Sequence, residues 1–205
     1  MCGRFNVEFD ESKEIEHIIR RVNDKIYRQE LSNDRTPKVG EVFPTNVAAI
    51  LVGEEGKLEP TSSIWGFKNF KSSGVLINAR SETAIEKKTF RESLLSRRCI
   101  IPSTGFYEWD QNKKKYLIQN EDCKELYMAG LYNYYNEEHR FVILTTAANT
   151  SMEKIHHRMP VLLKKDQMED WIFESNFTNE LFHTIPPEVI LKPIEKKFEQ
   201  MSLFD

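Results

Sequence analysis

The chain is 205 residues long, 40% hydrophobic and 11% aromatic, with a net charge of −3, so it can bury a substantial core and is not built as a general nucleic-acid binder. No apolar run approaches the roughly 18–20 residues of a membrane span. The charged opening MCGRFNVEFDESKE is no signal peptide, so a cytoplasmic protein without a membrane partner is expected.

In chain order, Cys2 to Phe9 reads as a short strand. Ser12 is placed to cap a helix over KEIEHIIRRVNDKIYRQEL, where Ile15, Ile18, Ile19, Val22 and Ile26 fall at helical spacing. A strand-like region follows: VAAILV, SSIWGF, VLINA, RCIIP, GFYEW, KYLIQ, LYMAGLYNYY and RFVILTTAA. These are short, rich in β-branched and aromatic residues, and divided by turns such as GEEG, QNKKK and YNEEH. Short helices are predicted at KKTFRESLLS and TSMEKIH. A later helical pair, KKDQMEDWIF and FTNELFHTI, precedes a last strand, EVILKPIEK.

No repeat, low-complexity linker or composition break divides the chain, so a single domain over residues 1–205 is expected. Strands outnumber helices without a β-α-β rhythm, which predicts an α+β fold of mainly antiparallel sheet. The three cysteines, Cys2, Cys99 and Cys123, contain no CxxC pair. They argue against a disulfide framework or a zinc knuckle, and no metal or cofactor is expected. Eight Lys and Arg stand against three Glu between Gly66 and Arg98, and nine acids against three Lys from Asp166 to Asp205. That distribution suits one face for an anionic partner and equally suits scattered solvated charge.

The candidate chemistry begins at residue two. Removal of Met1 would leave Cys2 with an α-amine of pKa about 7.7–8.0 and a thiol of about 8.5 on adjacent carbons. Such a pair can attack an acyl carbon through the thiolate, with the amine as base. It can also condense with an aldehyde and close to a five-membered thiazolidine. A lone second-position cysteine is more often an ordinary residue at a strand start.

Four downstream stretches bear on that choice. INARSET sets Asn78 and Arg80 at a strand end, where Arg80 can take a phosphate or carboxylate bidentately and Asn78 can orient a hydroxyl or carbonyl. Both can equally be turn and surface residues. IIPSTGFYEW places Glu108 among Phe106, Tyr107 and Trp109, where desolvation would suit it to acid–base work unless the strand is an exposed edge. KIHHRMP holds His156 and His157 before Arg158; either ring can relay protons or simply pack. ILTTAAN ends a strand with Thr145 and Thr146, donors to a ligand or caps of a helix.

Taken together, MCGRF, FPTN, WGF, INARSET, RRCIIPSTGFYEW, MAGLY, ILTTAAN and IHHRMPVLL resemble the SRAP family, the SOS-response-associated peptidase proteins that shield abasic sites in single-stranded DNA. The pieces occur in family order from Met1 to about Leu163. The resemblance implies a barrel-like, mainly antiparallel sheet with peripheral helices. It implies that Cys2, freed of Met1 by self-processing or an aminopeptidase, forms a thiazolidine with the ring-opened aldehyde of an abasic site. Asn78 and Arg80 would contact the open sugar and flanking phosphate, Glu108 would handle the protons of the α-amine, and His156 would assist sugar opening and Schiff-base steps. The family often has an aspartate where this chain has His157, and after WG this chain reads FKNF in place of the family's apolar-Ile-Pro-x-Trp. The implied partner is single-stranded DNA containing abasic sites, bound by a monomer; the implied activity is autopeptidase release of Met1, with abasic-site lyase activity an open extension.

On physical grounds, a thiazolidine needs an unprotonated amine, a carbonyl and a proton for the departing oxygen, transfers that Glu108 and His156 can divide. Arg4, Arg80 and Arg158 can hold phosphates on either side, which makes binding salt-dependent. Trp65, Phe67 and Phe70 can stack unpaired bases, although aromatics in strands more often belong to a core. Two rival readings remain: an N-terminal nucleophile amidohydrolase, which needs a thiolate and an oxyanion hole, and a non-covalent single-strand binder using the basic middle.

Overall fold

The computed structural model describes residues 2–29, 33–121 and 124–195. Met1, the end of the first predicted helix, Cys123 and the tail 196–205 lie outside the described residues. The chain runs β1 (Arg4–Val7), α1 (Lys13–Arg28), β2 (Gly40–Val42), β3 (Val47–Glu54), β4 (Lys57–Trp65), β5 (Phe67–Lys68), β6 (Val75–Leu76) and β7 (Asn78–Arg80). It continues through α2 (Lys88–Ser96), β8 (Arg98–Ser103), β9 (Gly105–Trp109), β10 (Lys115–Asn120), β11 (Leu126–Tyr135), β12 (Glu138–Ala147), β13 (Arg158–Pro160) and β14 (Leu162–Leu163). The last elements are α3 (Met168–Phe173), α4 (Phe177–His183) and β15 (Val189–Pro193), with 3-10 turns at Asn33–Arg35 and Lys165–Gln167.

Five strands close on themselves. β3 pairs with β4 and β8, β8 with β11, and β11 with β12, all antiparallel; β12 then meets β4 in parallel through Arg140↔Ile64 and Phe141↔Trp65. Closure removes the open edges that a flat sheet would expose. β7 and β13 extend the C-terminal half of β12, where Thr145 lies opposite both Arg80 and Pro160. A second, antiparallel sheet in the order β15-β10-β9-β1-β2 lies against this barrel. This is the α+β, barrel-like and mainly antiparallel architecture expected from the strand count and the family resemblance.

Local chemistry explains most of the elements. α1 starts where Ser12 Oγ accepts the Ile15 amide at 3.2 Å, and its five predicted apolar positions are all buried. The β3–β4 hairpin turns on Glu55 and Gly56, at φ 50° and 75°, the paired left-handed conformation that matches strand twist in a two-residue loop. β9 begins at Gly105, φ 155°, where a Cβ would sit 2.7 Å from the Ile118 carbonyl oxygen, so a side chain there would push β10 away. The two sheets are joined through Phe5, fully buried 5.1 Å from Trp65, which in turn stacks on Phe141 at 6.2 Å. No helix among the described residues is long and apolar enough to cross a membrane.

One predicted element differs. TSMEKIH forms consecutive turns, not a helix. Asn149 Oδ1 accepts the Met152 amide and the Ser151 hydroxyl, which starts a helical turn, but Arg158–Pro160 is drawn into pairing with β12 and ends it. His156 and His157 therefore stand on the bend immediately before β13.

Candidate functional site

The antiparallel register of β1 on β9 pairs Phe5 with Phe106 and Arg4 with Tyr107. Continued one step, it sets Gly3 opposite Glu108, with Cys2 next along. On β9 the side chains alternate, and Glu108 shares the inward face with the fully buried Phe106. That is why a glutamate at the end of this strand is itself 96% withdrawn from water (4% exposed) rather than lying on an exposed edge. β7, laid parallel on β12, delivers Asn78, whose Nδ2 donates to the Cys2 carbonyl at 2.9 Å. The other half of that amide, Oδ1, is buried without a hydrogen-bond partner among the described residues.

Cys2 itself is fully buried, its thiol 3.7 Å from the Arg4 carbonyl oxygen. Burial, and after it the negative charge of Glu108, push the thiol far above its ordinary pKa. The thiol is therefore held protonated at neutral pH. His156 is half-buried and lies within reach of the same Glu108 charge. Burial lowers its pKa, and Glu108 opposes that shift. Its Nδ1 meets both main-chain groups of Arg158: it accepts the amide at 2.9 Å when the ring is neutral with its proton on Nε2, and lies 3.2 Å from the carbonyl oxygen, to which a protonated Nδ1 can donate. His157 is exposed and stacks on His156 with ring centroids 4.4 Å apart. Of the two rings, His156 is the half-buried one and interacts with the Glu108 charge. The fold thus gathers Cys2, Asn78, Glu108 and His156 from the chain start, β7, β9 and the bend before β13.

The residues expected to grip DNA separate into three kinds. Arg80 is exposed, shares a face of β7 with Asn78, and makes no ion pair among the described residues. Arg4 is half-exposed, bound to Glu41 at 3.0 Å, with its guanidinium 4.5 Å from the ring centre of Phe43 and 5.0 Å from that of Trp109. Arg158 is buried and engaged: both guanidinium nitrogens meet the Glu82 carboxylate, and Nη2 also donates to the Thr145 carbonyl at 2.6 Å.

Trp65 and Phe67 correct the sequence expectation. Both are fully buried, Trp65 against Phe5 and Phe141 and Phe67 against Phe90 and Tyr135, so no base can stack on them. Trp65 Nε1 instead donates to the Ile77 carbonyl just before β7, and so helps place Asn78. Phe70 is 86% exposed and is free to meet a ligand. Sequence reasoning passed over Phe43 and Trp109 as partners of Arg4, and Glu82 as the partner of Arg158. The only signal for Glu82 was its place inside INARSET. No group of three or more His, Cys, Asp or Glu among the described residues is arranged to hold a metal.

Comparison with known proteins adds relationship to this geometry. The family model for SRAP, SOS response associated peptidase, matches residues 1–201. Abasic site processing protein YoqW of Bacillus subtilis is 33% identical over 193 residues, covering 86% of this chain and 82% of that protein. Abasic site processing protein YedK of Escherichia coli is 27% identical over 182 residues, covering 84% and 79%. A crystal structure of a protein from Bacteroides thetaiotaomicron superposes with a TM-score of 0.72 at 24% identity, covering 95% of this chain and 93% of that one, and has the same fold.

Proposed function

Because the chain belongs to the SRAP family, we propose that it processes abasic sites in single-stranded DNA, capturing the ring-opened aldehyde on Cys2 as a thiazolidine once Met1 has been removed, by the chain itself or by an aminopeptidase. The observation that carries this reading is the convergence of Asn78, Glu108 and His156 on one buried aminothiol residue.

The order of steps follows from the electrostatics. A thiol pushed up by burial and a neighbouring carboxylate does not attack first. The α-amine, close to neutral in pKa, adds to the C1 aldehyde. His156 in its imidazolium form, with Nδ1–H directed to the Arg158 carbonyl oxygen 3.2 Å away, supplies from Nε2 the proton with which the carbinolamine oxygen departs as water, and the ring later recovers a proton from Glu108. The thiol then gives its proton to Glu108 as sulfur closes on the iminium carbon. The sum is aldehyde plus aminothiol giving thiazolidine plus water, with no other reactant. Asn78 fixes the Cys2 carbonyl during these steps, and its unpartnered Oδ1 suits the sugar hydroxyl or the new amine. Arg80 takes the adjacent phosphate, which makes non-covalent binding salt-dependent. The same electrostatics disfavour an amidohydrolase, whose first step requires the thiolate.

The test mixes the protein with a glycosylase-treated, uracil-containing single-stranded oligonucleotide and separates the products on a denaturing gel. A shifted band that is lost in Cys2→Ala, with an intact mass equal to Met1-free protein plus DNA minus one water, is expected. No band, or a band that survives in Cys2→Ala, overturns the reading. Unchanged affinity without any band would favour a non-covalent binder.

A further inference from the structure

We propose that Glu41 is a built-in competitor for the DNA backbone: its carboxylate stands where a phosphate would sit between Arg4 and Lys115, and Lys115 joins Arg4 in gripping the strand that displaces it. This rests on the single-stranded DNA substrate proposed above. On the second sheet, Phe5, Val42 and Phe106 point inward, so Arg4 on β1, Glu41 and Phe43 beside it, Tyr107 and Trp109 on β9, and Lys115 on β10 share the outer face. One oxygen of Glu41, Oε1, accepts Arg4 Nη1 at 3.0 Å and Lys115 Nζ at 2.7 Å. To arrive there, the Lys115 ammonium lies over the Tyr107 ring, 3.9 Å from its centre. Two cations brought from separate strands onto one anionic oxygen form a seat that a phosphate oxygen can equally fill.

The seat adjoins the candidate site. The Arg4 carbonyl oxygen lies 3.7 Å from the Cys2 thiol, and Trp109 directly follows Glu108. Phe43 and Trp109 flank the Arg4 guanidinium, so an aromatic surface stands beside the charge, the combination that holds unpaired bases and their backbone. The side chains of Arg4, Glu41 and Lys115 are 38%, 27% and 23% exposed, so a strand can reach all three and Glu41 can swing out into water. Burial works against the Glu41 charge, yet hydrogen bonds from Lys115 and Arg4 draw its pKa below the ordinary carboxylate range, so the competitor is charged at neutral pH. Glu8 and Glu11 act together with Glu41 on Tyr107, which bounds the cationic part of the face on that side. A tethered carboxylate competes at the same effective concentration with every strand that arrives. An undamaged strand must keep displacing it, whereas an abasic strand joined to Cys2 stays regardless. Glu41 thereby favours release of undamaged DNA.

The experiment measures binding of an undamaged single-stranded oligonucleotide by fluorescence anisotropy over a range of salt, for wild type, Glu41→Gln, Lys115→Gln and Glu59→Gln. Glu59 is the matched control: it also meets two cations, Arg21 and Lys25, each at 2.9 Å, but it joins α1 to β4 away from this face. Glu41→Gln should bind about threefold to thirtyfold more tightly at low salt, the upper end being the release of two well-formed, partly exposed ion pairs. Its slope of log affinity against log salt should steepen by roughly 0.7–1.4, one or two further single-strand phosphates neutralised. Undamaged DNA should inhibit its crosslinking to an abasic oligonucleotide at correspondingly lower concentration. Lys115→Gln should bind more weakly than wild type with a shallower slope, and Glu59→Gln should stay within about twofold. Affinity of Glu41→Gln at or below that of wild type overturns the proposal, and so does an equal gain in Glu59→Gln, which would mark a general charge effect. Should Glu41→Gln fail to fold, unchanged affinity in Lys115→Gln overturns it alone. A wild type that binds the undamaged strand but never crosslinks to the abasic one would sink the function proposed above, while the comparison of variants would still decide on Glu41.

Discussion

Asn78 offers the sharpest test of how Cys2, the proposed nucleophile, is held. Its Nδ2 donates to the Cys2 carbonyl at 2.9 Å in a largely dry setting, beside the fully buried Cys2. Asn78→Ala removes a hydrogen bond worth about 1 kcal/mol net and leaves the Cys2 carbonyl unsatisfied at a further cost of about 1–3 kcal/mol. If half of that sum appears in positioning Cys2 for attack, the rate falls about fivefold to thirtyfold, at about 1.4 kcal/mol per factor of ten. Asn78→Asp keeps the shape but sets a carboxylate oxygen against a carbonyl oxygen, so it should be slower still. The assay is single-turnover crosslinking at saturating protein, resolved by denaturing gel, with fluorescence anisotropy on undamaged oligonucleotide as a control for binding. Both variants reacting at the wild-type rate would refute the argument that this hydrogen bond orients Cys2.

Arg80→Ala should weaken non-covalent binding and reduce the slope of log affinity against log salt by about one, while Met1 removal continues; equal affinity at low and high salt would remove Arg80 from the phosphate contact. Phe5→Ala should destabilise the fold by about 3–5 kcal/mol in urea unfolding, since Phe5 is fully buried between the two sheets against Trp65. His139 and His156 both have pKa values lowered by burial, so the unfolded chain binds more protons than the folded one below about pH 6.5. Stability should therefore drop as pH falls from 7 through 5, and His139→Gln should flatten that part of the profile. Below about pH 4.5 a second loss should follow, because hydrogen bonds from Arg and Lys hold Glu59, Glu82 and Glu138 below the carboxylate range, Glu138 down to about 2.

Much of the architecture was legible where local chemistry and tertiary packing agree. The α1 stripe, its Ser12 cap and the two-residue turn at Glu55–Gly56 each carry a pattern that needs no distant partner. The turns of TSMEKIH were not legible, because a helix signal there loses to the pairing of Arg158–Pro160 with β12. Trp65 and Phe67 were misread for a related reason: a short aromatic strand looks the same whether it faces a base or a core. Arg158 read as a phosphate-holding cation; that Glu82 and Thr145, 76 and 13 residues away in the chain, also surround it was not legible in the sequence.

What the sequence by itself determined is the inventory: a cysteine at the second position, a carboxylate on a strand of alternating burial, an imidazole before a proline, and the strands that carry them. Their meeting is decided only in three dimensions. Barrel closure and the β1–β9 register place residues 2, 78, 108 and 156 around one thiol. Electrostatic interaction depends on distance and on exclusion of water, and neither quantity is written in residue order.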